Sequence, residues 1–281
     1  MKYGVIDAGG GFRGVYGTAV LDSCLDNGIH FDYAIGVSAG SANLISYLAG
    51  QRGRNYRFYV DYGFRKQYMS FGNFVRKRSY VDMDYVYGTL SNSDGEDPLD
   101  YDAFAANPAE YIAVACNVKT GEPVYLDRSC VSRDHYDVCK ASCALPVVCH
   151  PYVAGGVRCL DGGMANPVPV QKAFDDGCDK VVLILTKPRD TIRQAKDDAF
   201  FAKLLRLRYP RAAEQLALRY KKYNDGVALA KEYEQQGKLL IVAPDSIGNL
   251  TTLGRTKEEL DKLYEKGLKD GQQIKAFLER T

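Results

Sequence analysis

An α/β fold with a mainly parallel sheet sandwiched by helices is the architecture this sequence predicts, and three observations lead to it. Short apolar runs of strand length alternate with longer runs of helical period. The first two strand-to-helix junctions, Asp7 to Gly14 and Gly36 to Gly40, are rich in glycine. The 281 residues are 46% hydrophobic, enough for the core of one large domain, and no internal repeat or low-complexity segment appears.

In chain order, Tyr3 to Ile6 reads as a short buried strand leading into Asp7-Ala8-Gly9-Gly10-Gly11-Phe12-Arg13-Gly14. A helix follows, with Val20, Leu21, Cys24 and Leu25 on one face and Gly28 as its stop. Tyr33 to Val37 is the second strand and Ala39 to Ala49 the second helix. Later strands are expected at Tyr111 to Cys116, Lys180 to Thr186 and Leu239 to Val242. A helix-like segment spans Asp134 to Cys143, and another helix lies near Val168 to Asp176. Between them, Tyr152 to Ala154 and Val157 to Leu160 flank Gly155-Gly156 as a hairpin.

Two regions stand outside this alternation. Asn55 to Phe104 interleaves aromatics such as Tyr56, Phe58, Tyr59, Phe71 and Phe74 with Arg57, Arg65, Lys66, Arg76, Lys77 and Arg78. It reads either as a lid over a neighbouring site or as a helical subdomain with its rings packed inward. Ala199 to Gln236 is helical and basic, through Lys203, Arg206, Arg208, Arg211, Arg219, Lys221 and Lys222. Such a face either rests on a membrane surface or is simply solvated, the commoner outcome.

Thirty-seven Lys and Arg against 35 Asp and Glu leave a net charge of +2, and no aromatic-basic nucleic-acid motif appears, so nucleic acid is not an expected partner. Eight cysteines without a C-x-x-C read as buried free thiols, and the group Cys139, Cys143, Cys149, His150 fits no standard zinc spacing, so no metal is expected. No apolar run has membrane-spanning length, and the amino terminus enters a strand without a charged leader and apolar segment, so the expected location is cytoplasmic.

The chemistry concentrates in three stretches. Gly36-Val37-Ser38-Ala39-Gly40 has the form of a nucleophile elbow, in which small residues two before and two after the serine let strand and helix approach. Ser38 is then a candidate nucleophile aimed out of the sheet, beside the first N–H groups of the helix. The plainer alternative is a serine that caps the helix.

Gly9, Gly10 and Gly11 expose bare backbone that suits an oxyanion loop. Gly9, Gly11 and Gly14 also satisfy G-x-G-x-x-G, which leaves a dinucleotide- or phosphate-binding module as the competing class. That fingerprint wants an acid at the end of the next strand, where Gly36-Val37-Ser38 stands instead; Asp32 precedes the strand.

Asp161-Gly162-Gly163 ends the hairpin, either as a common Asp-Gly turn or as a base whose glycines let it approach another loop. Of three histidines, His30 and His135 lack a catalytic setting, and His150 is the one triad candidate; a serine-aspartate dyad is simpler.

In this order the glycine loop with Arg13, the Ser38 elbow and the Asp161 motif resemble the patatin-like phospholipase family. Ala141-Ser142-Cys143-Ala144-Leu145-Pro146 and Pro167-Val168-Pro169-Val170 are also similar to segments flanking that family's aspartate. The matches span roughly Met1 to Thr186, and Ala8 departs from the family's commoner glycine. The resemblance implies a patatin-like three-layer fold and a lipid acyl hydrolase, a serine esterase of phospholipase A type, needing no cofactor, metal or catalytic histidine. It makes Ser38 the nucleophile, Asp161 the base, and Gly9, Gly10 and Gly11 the oxyanion donors. Arg13, Gly36, Gly40, Gly162 and Gly163 become supporting residues. The expected partners are a lipid or phospholipid substrate and a membrane surface touched peripherally. One domain is expected over 1–281, with a lid-like insertion at 55–104, whose functional reading is then a lid or acyl-chain groove that also touches anionic headgroups, and a helical extension at 190–281.

Overall fold

The computed structural model describes residues 1–280. An eight-stranded sheet runs through the molecule, built from β1 (Tyr3–Asp7), β2 (Tyr33–Val37), β3 (Glu110–Asn117), β4 (Pro123–Asp127), β5 (Tyr152–Ala154), β6 (Val157–Asp161), β7 (Lys180–Ile184) and β8 (Leu239–Val242). Its centre is parallel in the order β3-β2-β1-β7-β8, with Ile6 paired to both Ile35 and Leu183. β3 is the branch point: its last three residues pair antiparallel with β6, and β4 also pairs antiparallel with it. β4 went unread in the sequence. It starts with proline and is mostly half-buried, so it lacks both the apolar run and the clean alternation of a core strand.

Period-two alternation sends Val5, Ala34, Ala113 and Val182 into one core, and Ile6, Ile35, Val114 and Leu183 into the other. The first face is covered by α1 (Val15–Asp26), α2 (Ala39–Leu48), α6 (Asp137–Cys143) and α10 (Lys257–Gly271). The second is covered by α7 (Val170–Asp175) and the long α9 (Pro210–Gln235). The result is the three-layer α/β arrangement expected. α1 is buried on more than the one face its pattern suggested, because α10 lies against it; a Cβ on Gly267 would come within 2.6 Å of Ala19 Cβ. The eight cysteines are unpaired, and seven are buried.

After α2 come α3 (Arg54–Val60), α4 (Phe71–Lys77), a π-turn at Tyr85–Thr89, and α5 (Tyr101–Ala106). This region divides the two readings given above. Phe58, Tyr62, Val86 and Leu90 pack into a small core, and buried Arg54 donates to the Asp97 carbonyl, Ser46 and Ser91. α4 buries nothing: Phe71 is 72% exposed and stacks on Phe74 at 6.3 Å. Residues 190–280 hold α8 (Ala199–Leu205), α9, α10 and α11 (Gln273–Leu278), and they also supply β8 at the sheet edge.

Candidate active site

β1, β2 and β7 are parallel, so the segments leaving their carboxyl ends gather on one edge, the side on which open α/β sheets bind ligands. There the glycine loop follows β1, Ser38 follows β2, and Thr186 and Lys187 follow β7. A cavity of about 470 Å³ opens on this edge and includes Gly9, Gly10, Gly11, Ser38, Asp161 and Gly163 in its wall.

Ser38 has φ 55° and ψ −132°, a strained conformation for a residue with a side chain, and is 8% exposed. Its hydroxyl does not cap α2, which removes the capping alternative. The need for glycine on both sides is steric. A Cβ on Gly36 would lie 2.4 Å from Ser41 Cα, and one on Gly40 would lie 2.2 Å from the Asp7 carbonyl oxygen. Ser142 on α6 was not foreseen as a functional residue: its hydroxyl accepts from Ser38 N at 2.9 Å and donates to the Val114 carbonyl at 2.6 Å. It ties the elbow to β3.

Asp161 ends β6, where it is carried to the site by pairing with β3. Gly162 must be bare, since a Cβ there would sit 2.0 Å from the Val114 carbonyl oxygen. Asp161 Oδ1 accepts from Gly163 N at 2.8 Å, while Oδ2 is buried without a partner. Burial raises the carboxyl's pKa above the ordinary range; Ser38, the Arg219 charge and the Gly163 amide pull the other way. Ser38 therefore stands close enough to favour the carboxylate, yet no hydrogen bond to it is closed in this resting arrangement. Catalytic hydrogen bonds commonly tighten only when substrate binds.

The glycine loop departs from expectation at one position. Gly9 N donates to Asp7 Oδ1 at 2.9 Å, so it is not free to serve as an oxyanion donor. Gly10 N and Gly11 N have no intramolecular partner among the described residues. All three glycines have positive φ, and a Cβ on Gly10 would lie 2.4 Å from Thr186 Oγ1. Beneath the loop, Asn43 donates to Asp7 at 2.8 Å and to the Gly14 carbonyl at 3.0 Å, and accepts from Thr18 and Tyr59. Burial pushes the Asp7 carboxyl up to about 6, against the hydrogen bonds from Asn43 and Gly9. Arg13 lies beside Gly10, 7% exposed, with Thr252 Oγ1 at 3.4 Å.

Other sequence candidates lie elsewhere. His150 faces a separate groove between α4 and α8, with its amide on Ser79 and its ring against Tyr152; His30 and His135 are exposed. Asp32 is held at the start of β2, accepting from Tyr3 N at 2.7 Å, which leaves no acid in the ribose position. Arg219, read as part of a solvated basic face, instead turns into the cavity beside Asp161. The segment Ile247 to Leu253 also lines the site, and its Thr252 carbonyl accepts from Phe12 N at 3.0 Å. No local signal marked it, because its role depends on a partner far away in the chain.

Fold and site together have the form of a three-layer α/β protein with a serine at a strand-to-helix elbow. The chain belongs to the patatin-like phospholipase family: residues 8–174 match it, and residues 209–280 match a domain of unknown function, DUF6363. It is 27% identical over 192 residues to the uncharacterized protein YjjU of Escherichia coli (strain K12), a match covering 66% of this chain and 52% of that protein. The chain thus spans about half the length of that relative. It is also similar in fold to the crystal structure of VipD from Legionella pneumophila, with a TM-score of 0.50 at 13% identity, covering 97% of this chain and 66% of that one.

Proposed function

We propose that residues 1–281 act as one acyl hydrolase domain that cleaves carboxylic esters of lipids, with Ser38 as nucleophile and Asp161 as its base. The observation that carries this reading is the strained, uncapped Ser38 sharing one cavity with a buried carboxylate whose second oxygen has no partner. In the forward step, Asp161 takes the hydroxyl proton as Ser38 Oγ attacks the ester carbonyl, and the Gly10 and Gly11 amides hold the tetrahedral oxygen. Collapse breaks the bond to the leaving oxygen, which takes that proton from Asp161 and departs as the alcohol, restoring the carboxylate. Water, deprotonated by the same carboxylate, then releases the acid.

A lipid substrate is supported by the second wall of the site. Beyond Ser38, on the side away from α9, Phe58, Tyr59, Val81, Met83, Val86 and Tyr87 line a small pocket of about 60 Å³ that also touches Asn43, Arg54 and Asn55, with room for the start of an acyl chain and not its length. Phe71 and Phe74, read as part of an acyl wall, line neither pocket beside Ser38. Together with Phe200, 73% exposed, and Leu207, they offer apolar contacts for a peripheral membrane surface. No helix among the described residues is long and apolar enough to cross a membrane.

The test pairs two variants assayed on a short-chain ester. Asp161→Asn is expected to lose on the order of a thousandfold in turnover, and His150→Ala to stay near the unmodified rate. Equal losses would make His150 a catalytic partner and refute the dyad.

A further inference from the structure

The groove between α4 and α8 shares no residue with the cavity that holds Ser38. Its volume of about 480 Å³ falls in the range of small-molecule sites. Buried Leu160 and Leu205, with Phe74, Val147 and Leu204, give it an apolar wall. Lys77, Arg78, Arg158 and Arg208 stand around that wall, and no acidic side chain lines it. Lys77 is held by Asp82. Arg78, Arg158 and Arg208 are exposed and make no side-chain hydrogen bond or ion pair among the described residues. Arg208 lies over the Tyr209 ring at 5.5 Å, and Tyr209, in the same wall, has its Oη buried without a partner. The Ser38 cavity differs in this respect, since its cations face Asp161, Asp197 and Asp198.

We infer that this groove is a second, noncatalytic site for a long-chain carboxylate, with the acid head among Arg78, Arg158 and Arg208 and the chain along Phe74, Val147, Leu160 and Leu204. Unpaired guanidinium groups beside an apolar wall complement an anionic head joined to an apolar tail. Guanidinium forks match carboxylate oxygens in pairs, and burial of the chain adds affinity that a head alone lacks. The exposed rings Phe71 and Phe200 lie outside the groove, so contact with a bilayer leaves the recess open to a single molecule.

The source of the acid rests on the hydrolase reading above, in which ester cleavage at Ser38 releases one. Phe201 reaches the rim of the Ser38 cavity, while Leu204 and Leu205 line the groove one helical turn further along α8. The partition between the two compartments is one segment thick. Leu145, Pro146 and Val148 line the cavity, Val147 and Cys149 line the groove, and β6 gives Asp161 to the one and Leu160 to the other. An acid in the groove is thus next to the catalytic compartment without touching Ser38 or Asp161.

The test uses the full chain and decanoic acid carrying a diazirine on its chain, with the corresponding alcohol as the neutral probe. Both are used below saturation at low ionic strength, and labelled peptides are mapped by mass after photolysis. The acid is expected to label 74–78, 147–151 and 204–209 about tenfold or more above the alcohol, the worth of one charge-assisted contact. In Arg158→Gln combined with Arg208→Gln that excess should fall to about twofold or less. Arg158→Gln alone should lower it in the same direction, without disturbing the Arg208–Tyr209 contact. Equal labelling by acid and alcohol, or an excess that survives both changes in folded protein, would overturn the site. Label confined to the wall of the Ser38 cavity would overturn it too. Acetate that competes as well as unlabelled decanoate would overturn the place given to the chain. Hydrolysis of a neutral short-chain ester by the unmodified chain is read separately; its absence would refute the dyad and leave the binding result standing.

Discussion

At the residue scale, the proposed chemistry depends on where single atoms are denied partners. Ser38 Oγ is kept from capping its helix, Asp161 Oδ2 is kept dry, and the Gly10 and Gly11 amides are left open while Gly9 is spent on Asp7. Gly10→Ala should therefore reduce turnover by about a hundredfold or more, as loss of one oxyanion donor does, because its methyl would strike Thr186 Oγ1 and turn the amide. Retained turnover with weakened nucleotide binding would favour the phosphate-loop alternative. The Asp161 pKa is raised by burial, and as the proposed base it must be ionised to act, so activity should rise with pH along an acid limb lying above the usual carboxylate range. Arg219 lowers that pKa, so Arg219→Gln should shift the limb to higher pH in a kcat/KM profile. A limb that stays put or moves down would show that Arg219 does not act on the base.

At the scale of elements, the elbow is only as firm as the pieces around it. α6 leans on β2 through Ser142, whose hydroxyl serves Ser38 N and the Val114 carbonyl at once. Ser142→Ala strands a buried amide, which costs about 1–3 kcal/mol and should lower the melting temperature by several degrees while reducing turnover. An unchanged melting temperature and rate would mean that the elbow holds without α6. This brace also marks the limit of what the sequence discloses. Every strand but β4, and the first two helices, were legible because alternation and glycine stops are local, and the elbow was legible because its sterics fit within five residues. Ser142, Asn43, the Thr252 loop and Arg219 were not recognised for their roles, since each acts on a segment far along the chain. The insertion could not be assigned from composition either, because its inner rings are buried and its outer helix is bare.

For the whole molecule, α4 and α8 stand on either side of one groove, with Phe74, Lys77 and Arg78 facing Leu204, Leu205 and Arg208. Phe201, also on α8, reaches the rim of the cavity that holds Ser38. Exposed rings beside lysine and arginine suit the boundary of an anionic bilayer. Phe71→Ser combined with Phe200→Ser should slow hydrolysis of anionic vesicles about tenfold, and should slow a dissolved short-chain ester far less, as comparison of the two rates would reveal. Equal slowing would assign these rings to folding alone. All of this hangs on one atom, Ser38 Oγ. Its direct test is labelling of the intact chain with a fluorophosphonate probe, followed by mass mapping of the modified peptide and repetition in Ser38→Ala. Modification at Ser38 alone, lost completely in a Ser38→Ala protein of unchanged fold, is the predicted result; labelling that persists in Ser38→Ala, or falls on another serine, would contradict it.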